Sequence, residues 1–194
     1  MREEIKIKLL QNMLEEITER YDNFISQQQD IINKTFQKAI RDPLTNLYNR
    51  NYLQEYGSNL EKQHLKKMVP FHIIFFDLDN FKQVNDREGH KSGDIILQKI
   101  AKVLKDYFPF DWIFRYGGDE FVVISDSPLK EIKGEIERLE QKVVETFKEY
   151  QIGISWGIAT FPEDGTEFRR LLDVADSRMY SLKQQKKREF LRIF

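Results

Sequence analysis

The first forty residues contain neither glycine nor proline, and this most narrows the shapes open to the chain. Leu10, Ile17, Phe24 and Ile31 fall seven apart, with Ile7, Leu14 and Tyr21 at the intervening positions. Apolar residues at that alternating spacing draw one seam along a long helix, the pattern of a coiled coil. From Phe24 onward a second stripe, Ile25, Ile32, Phe36 and Ala39, competes in a register shifted by one residue. A helix packed on its own domain would also carry a stripe. Roughly four heptads without a breaker favour instead a parallel two-chain stalk over residues 1–40. The two stripes suggest two stalk registers, only one of which aligns the domains joined to it.

The helix is expected to end near Arg41, because Asp42-Pro43 is a turn signal and proline disfavours helix for the residue before it. Residues 41–194 then read as one domain of alternating elements. A helix is predicted from Asp42 to about Lys67, a central strand at 71–76, a loop, and a helix from about Gly93 to Tyr107. Strands at 112–115 and 120–125 are joined around Gly117-Gly118, since paired glycines accept the positive φ that hairpin turns need. A helix at 129–150, a strand at 152–160 and a helix at 168–187 complete the series. Such an order predicts an α/β (α+β) sandwich, with helices on a mixed, mostly antiparallel sheet.

Composition removes several chemistries. With 31 Lys+Arg against 32 Asp+Glu, nothing in the bulk charge calls for a nucleic-acid partner. The absence of cysteine rules out disulfides, thiolate metal sites and thiol nucleophiles, and suits a reducing compartment. His64, His72 and His90 are too scattered for a zinc site. No apolar run approaches the 18 or so residues of a membrane span, and Met-Arg-Glu-Glu does not begin a signal peptide. The expectation is a cytoplasmic protein that works with carboxylates, Lys/Arg, hydroxyls and backbone amides.

Four clusters could carry such work. In Asp77-Leu78-Asp79-Asn80-Phe81-Lys82, strand alternation throws both aspartates to one side of a sheet end. Their hard oxygens suit Mg²⁺, and Lys82 suits phosphate. Asn85 to Asp94 forms a polar run in which a carboxylate, having only acceptors, complements the N–H donors of guanine. Plain loop chemistry, with Asp94 stabilising a first helical turn, explains that run equally well. In Arg115-Tyr-Gly-Gly-Asp-Glu-Phe121, Gly117 and Gly118 admit a bulky substrate close to the backbone, and a hairpin holds Asp119 rigidly. Lys183 and Lys187, four apart, share a helix face and could neutralise a triphosphate. Each cluster alone has a bland reading as a solvated cap, turn or helix end.

Taken in order, these motifs resemble a GGDEF-domain diguanylate cyclase over about residues 41–188. Asp42-Pro-Leu-Thr-Asn-Leu-Tyr-Asn-Arg50, Gly153-Ile-Ser-Trp-Gly-Ile-Ala159, Phe161-Pro-Glu-Asp-Gly165 and Ala175-Asp176…Tyr180…Lys183 add to the likeness. The resemblance implies a central five-stranded sheet wrapped by helices, related to nucleotide cyclases and polymerase palm domains. It implies condensation of two GTP into cyclic di-GMP plus pyrophosphate, by two catalytic domains facing each other in a homodimer. Asp77 and Asp119, with the Leu78 carbonyl, would hold two Mg²⁺ or Mn²⁺ ions per active site. Glu120 would assist near the metals and the 3′-hydroxyl. Asn85 and Asp94 would hold guanine. Lys82, backbone amides near Phe81, Lys183 and Lys187 would hold phosphates, with Lys82 also serving catalysis. It leaves room for an upstream sensor domain as a partner.

Two departures stand out. Many members carry an inhibitory product site, Arg-x-x-Asp, and here that window reads Phe108-Pro109-Phe110-Asp111. The aspartate is kept but phenylalanine replaces the arginine, which predicts weak or absent feedback inhibition. The Lys-x-x-Gly-Arg pattern becomes Lys183-Gln-Gln-Lys186-Lys187, followed by Arg188. The alternatives are a catalytically silent GTP-binding signalling module, against which the intact acids argue, and a structural coiled-coil adaptor.

Overall fold

The breaker-free segment forms a single helix, α1 (Arg2–Ile40), of 39 residues in a computed structural model that describes residues 1–193. At 1.5 Å per residue such a helix is about 58 Å long. Ile7, Leu10, Leu14, Ile17, Tyr21, Phe24 and Ile31 are all exposed along it, as are Ile25, Ile32 and Phe36 of the second stripe. The helix is one compact unit, and a second begins at Arg41.

The second unit is built on five strands: β1 (Tyr48–Asn49), β2 (Phe71–Asp79), β3 (Trp112–Gly117), β4 (Glu120–Ser125) and β5 (Gly153–Phe161). Their order across the sheet is β1-β3-β4-β2-β5. Strands β1 and β3 pair in parallel; the other pairs are antiparallel. Because β2 has a strand on each side and helices on both faces, its sequence is apolar nearly throughout. Phe71, Ile73 and Phe75 enter a core shared with α2 (Arg50–Lys67) and α6 (Phe168–Ile193). Ile74, Phe76 and Leu78 enter the opposite core, with α3 (Phe81–Glu88), α4 (His90–Tyr107) and α5 (Leu129–Thr146). This is the expected α/β sandwich.

Several boundaries fall elsewhere than predicted, each for a local reason. Residues 42–47 are not helical. The Asp42 carboxylate accepts hydrogen bonds from the Thr45 amide (2.8 Å) and hydroxyl (2.7 Å), and such side-chain bonds compete with helix formation. Helix α2 starts instead at Arg50, capped by Asn49, whose side-chain oxygen accepts from the Tyr52 amide at 2.9 Å. The strand expected to stop at Phe76 runs on to Asp79, and the expected loop after it is largely α3. Gly89, at φ +82°, breaks α3 from α4. Asp94 therefore lies inside α4 and does not cap it. Helix α5 ends at Thr146, and one 3₁₀ turn (Lys148–Tyr150) comes after it.

The packing of α6 on β5 sets where its lysines reach. A Cβ on Gly157 would run into the Ala175 carbonyl oxygen and the Met179 nitrogen. Backbone meets backbone there, and only glycine permits it.

Candidate active site

Three acids gather at one end of the sheet. Asp77 on β2 and Glu120 on β4 are direct cross-strand partners, which places their Cβ atoms roughly 4.5–5.5 Å apart. Asp119 occupies the two-residue turn between β3 and β4, after Gly118 at φ +47°. The Asp119 carbonyl accepts the Leu78 amide at 3.3 Å, tying the turn to β2. Arg115 braces it from the other side: Nε and Nη2 donate to the Gly118 carbonyl at 3.1 and 2.8 Å. Its Nη1 donates to both Asp42 oxygens, at 3.0 and 3.2 Å. Burial alone would raise the Asp42 carboxyl, but Thr45 and Arg115 together hold it below the ordinary range. The turn is thus clamped through a residue of the Asp42-Pro43 motif, a link that sequence spacing did not reveal.

The electrostatics of the acids are mutually strained. Burial pushes the Asp77 carboxyl up to about 6; the ammonium of Lys183 pulls it down, while Asp119 and Asp79 push it further up. Glu120 is raised by burial and then by Asp77, Asp119 and Asp176. Repelling carboxylates of this kind are relieved by a cation. Lys183 already stands in that place, its Nζ donating to Asp77 Oδ1. Among the described residues no three His, Cys, Asp or Glu side chains converge as a ready-made metal cage. Backbone carbonyl, phosphate and water would have to complete a coordination shell, which is how Mg²⁺ is ordinarily held. The donor set fits Mg²⁺ or Mn²⁺ on those terms.

A cavity of about 790 Å³ opens beside Asp119. Leu78 and Asp79 at the end of β2, and Phe81, Lys82 and Gln83 at the start of α3, form one wall. Lys183, Lys186 and Lys187 of α6 also line it, as does Lys148 of the 3₁₀ turn. The residue before α3, Asn80, sits in the left-handed region (φ 63°) and gives no side-chain cap. Its Nδ2 donates to the Gln151 carbonyl at 2.9 Å. The first amides of α3 are left for another acceptor, and helix N-termini attract anions. Several lysines around a helix start without a side-chain cap give the cavity the chemistry that suits an anion.

The remaining predicted residues fall in two other places. Asn85 and Asp94 do not line the cavity. Asn85, on α3, turns its side chain toward Gly93 of α4, and its buried Oδ1 has no partner among the described residues. The space is kept by Gly93, whose Cβ would strike that oxygen. Asp94, the residue after Gly93 on α4, is exposed; both side chains offer acceptors, the chemistry that N–H donors require. Phe108 is 2% exposed and packs 6.2 Å, ring centre to ring centre, from Phe76. Its side chain is core, and no arginine-like group reaches the surface there. Asp111 accepts from the Ser125 hydroxyl, and burial raises its carboxyl.

Lys186 was legible only as a departure from a pattern. Its Nζ donates to Glu140 Oε1 and to the Ile154 carbonyl, both at 2.7 Å, and lies 3.9 Å from Asp79. Asp79 in turn accepts from the Ser155 hydroxyl at 2.7 Å. Lys186 therefore ties α6 to α5 and β5. The signal available was its spacing of three from Lys183, which puts both on one helix face.

Residues 39–189 match the family profile described as "Diguanylate cyclase, GGDEF domain", and the chain belongs to the GGDEF family. Among its relatives, the diguanylate cyclase DosC of Escherichia coli K12 is 29% identical over 176 residues, covering 84% of this chain and 38% of DosC. The diguanylate cyclase DgcS of Shewanella oneidensis is 33% identical over 148 residues, covering 75% of this chain and 50% of DgcS. The chain thus spans half or less of the length of these relatives. The coiled coil and GGDEF domain of DgcB from Caulobacter crescentus, solved with c-di-GMP, superposes with a TM-score of 0.78 at 22% identity, over 89% of this chain and 95% of that one. A sensory box/GGDEF family protein from Caulobacter crescentus CB15 gives a TM-score of 0.62 at 29% identity, over 75% of this chain and 99% of that one. No helix among the described residues is long and apolar enough to cross a membrane.

Proposed function

We propose that this protein is an active diguanylate cyclase, joining two GTP into cyclic di-GMP and releasing two pyrophosphates across a homodimer. The observation that carries the reading is the placement of Asp77, Asp119 and Glu120 at one sheet end, next to a lysine-lined cavity. Two Mg²⁺ or Mn²⁺ ions, held by Asp77, Asp119, the Leu78 carbonyl and Glu120, would supply charge stabilisation for the entering and leaving oxygens of phosphoryl transfer. The chain's own groups do the rest. The open amides at the start of α3 and the ammonium groups of Lys82, Lys183 and Lys187 hold and neutralise the triphosphate. Asn85 and Asp94 accept from the N1–H and N2–H₂ donors of guanine, which adenine lacks at those positions. Gly117 and Gly118 let the nucleotide approach the turn, and Arg115 keeps Asp119 aimed.

One domain holds one GTP, so the 3′-hydroxyl and the α-phosphate it attacks come from different protomers. A two-fold product fits a two-fold dimer. The bare seam of α1 supplies a means of pairing, since a second copy of the helix would bury it. Its two stripes offer two registers through which pairing would control turnover. The direct test is mass spectrometry of products from GTP and Mg²⁺ at several protein concentrations. Cyclic di-GMP formed at a rate that rises faster than protein concentration, and lost in Asp119→Ala, is expected. A folded dimer that makes none would end the proposal.

A further inference from the structure

Lys183 faces two anionic places at once. Its ammonium donates to Asp77 Oδ1, a carboxylate whose side chain is only 10% exposed, while Lys183 itself is 35% exposed. The same residue lines the cavity with Lys82 and Lys187. A single ammonium on one carboxylate oxygen cannot at that moment serve a phosphate farther into the cavity. Lys186 has its position fixed by Glu140 and the Ile154 carbonyl. Lys183, on a flexible four-carbon stem, can change partners.

We propose that Lys183 is a placeholder cation, occupying Asp77 in the nucleotide-free protein and competing there with a divalent ion. The idea rests on the metal-dependent reading above and extends it. Two cations sharing one buried carboxylate repel, so the ion must displace the ammonium to bind Asp77 fully. A triphosphate in the cavity gives the displaced ammonium a new partner and so lowers the cost of displacement. Metal and nucleotide then bind with positive coupling, and by linkage each strengthens the other equally. The device keeps Asp77, pressed by Asp79 and Asp119, from standing as an unpaired charge when the site is empty.

The experiment is a Mn²⁺ titration of nucleotide-free protein, followed by electron paramagnetic resonance of free Mn²⁺ and by calorimetry. Wild type, Lys183→Met, Lys183→Gln, Lys187→Met and Asp77→Asn are compared, each shown to be folded by circular dichroism. Removing any nearby positive charge strengthens cation binding somewhat through space, so Lys187→Met, which removes a charge lining the same cavity, is the control, and the placeholder role requires a larger effect at Lys183. Here Lys183→Met and Lys183→Gln are expected to tighten Mn²⁺ binding by about fivefold or more, the scale of ordinary coupling between sites. Asp77→Asn is expected to lose the same binding. Unchanged or weaker Mn²⁺ binding in both Lys183 variants, or tightening no greater than in Lys187→Met, with Asp77→Asn still defective, overturns the placeholder role alone. Mn²⁺ binding that survives Asp77→Asn removes the metal assignment, and the placeholder role with it.

Discussion

Restoring the missing arginine of the inhibitory motif should unfold a corner of the protein and not rebuild a binding site. Phe108 is 2% exposed, comes directly after α4 with its amide bonded to the Leu104 carbonyl at 2.9 Å, and packs near Phe76. Truncating a buried phenylalanine costs about 3–5 kcal/mol. In Phe108→Arg the aliphatic stem recovers part of that packing, but a guanidinium inside an apolar core lacks a counter-charge. The motif's own acid, Asp111, is already engaged by Ser125. The net loss is roughly 3–4 kcal/mol. For a domain of this size that lowers Tm by about 10 °C. Urea unfolding at constant slope measures the loss, and calorimetry with cyclic di-GMP tests for a regained site. Phe108→Leu, which keeps the position apolar, should lose under about 2 kcal/mol. A Phe108→Arg protein within about 1 kcal/mol of wild type that also gained cyclic di-GMP affinity would refute the placement of this side chain in the core.

Four other outcomes are expected. Arg115→Met, which releases the Gly118 carbonyl and Asp42, should cut kcat by about 10–100-fold with GTP KM little changed, because it misaims Asp119 and leaves the lysines of the cavity in place; steady-state kinetics separate the two. Protons compete for Asp77, whose carboxyl is pushed up to about 6, so Mn²⁺ affinity should be flat above that pH and fall by up to about tenfold per unit below it; a calorimetric pH series reads this. The Asp164 carboxyl is held low, chiefly by Arg178. A lowered carboxyl contributes stability that is present above its unfolded value and lost as pH falls through the folded one. Asp164→Asn should therefore cost about 1 kcal/mol at pH 7, discounted because Arg178 is half exposed, and progressively less as pH falls through the lowered folded value; paired urea melts check it. Gly157→Ala should cost about 1–3 kcal/mol by driving β5 and α6 apart, and should raise GTP KM as Lys183 moves with the helix.

What could be read from residues alone was what local chemistry fixes. The breaker-free heptads determined α1. Alternation from Phe71 determined a buried strand with Asp77 and Asp79 on one side, and both do reach lysines of α6. The paired glycines determined a hairpin with Asp119 at its tip. Two segments depart from what periodicity suggests: the expected helix start at Asp42, and the expected loop before Gly93, most of which is α3. Asp42 binding Thr45 cancelled the start of a helix, and Gly89 divided one helix from the next. Neither is visible in apolar periodicity, which averages over such single bonds.

Only the tertiary structure decided the partners. Asp77 and Glu120 are 43 residues apart in sequence and opposite each other in the sheet. Lys183 stands on Asp77 and Lys186 on Glu140 because Gly157 lets α6 approach β5 backbone to backbone. The replaced arginine at 108 was plain in the sequence, but its being core was not. The residue types fixed which chemistry was available, carboxylate oxygens and ammonium groups. Which of those charges meet depended on strand register and on one close helix–sheet contact, both of which are long-range and leave no periodic mark along the chain.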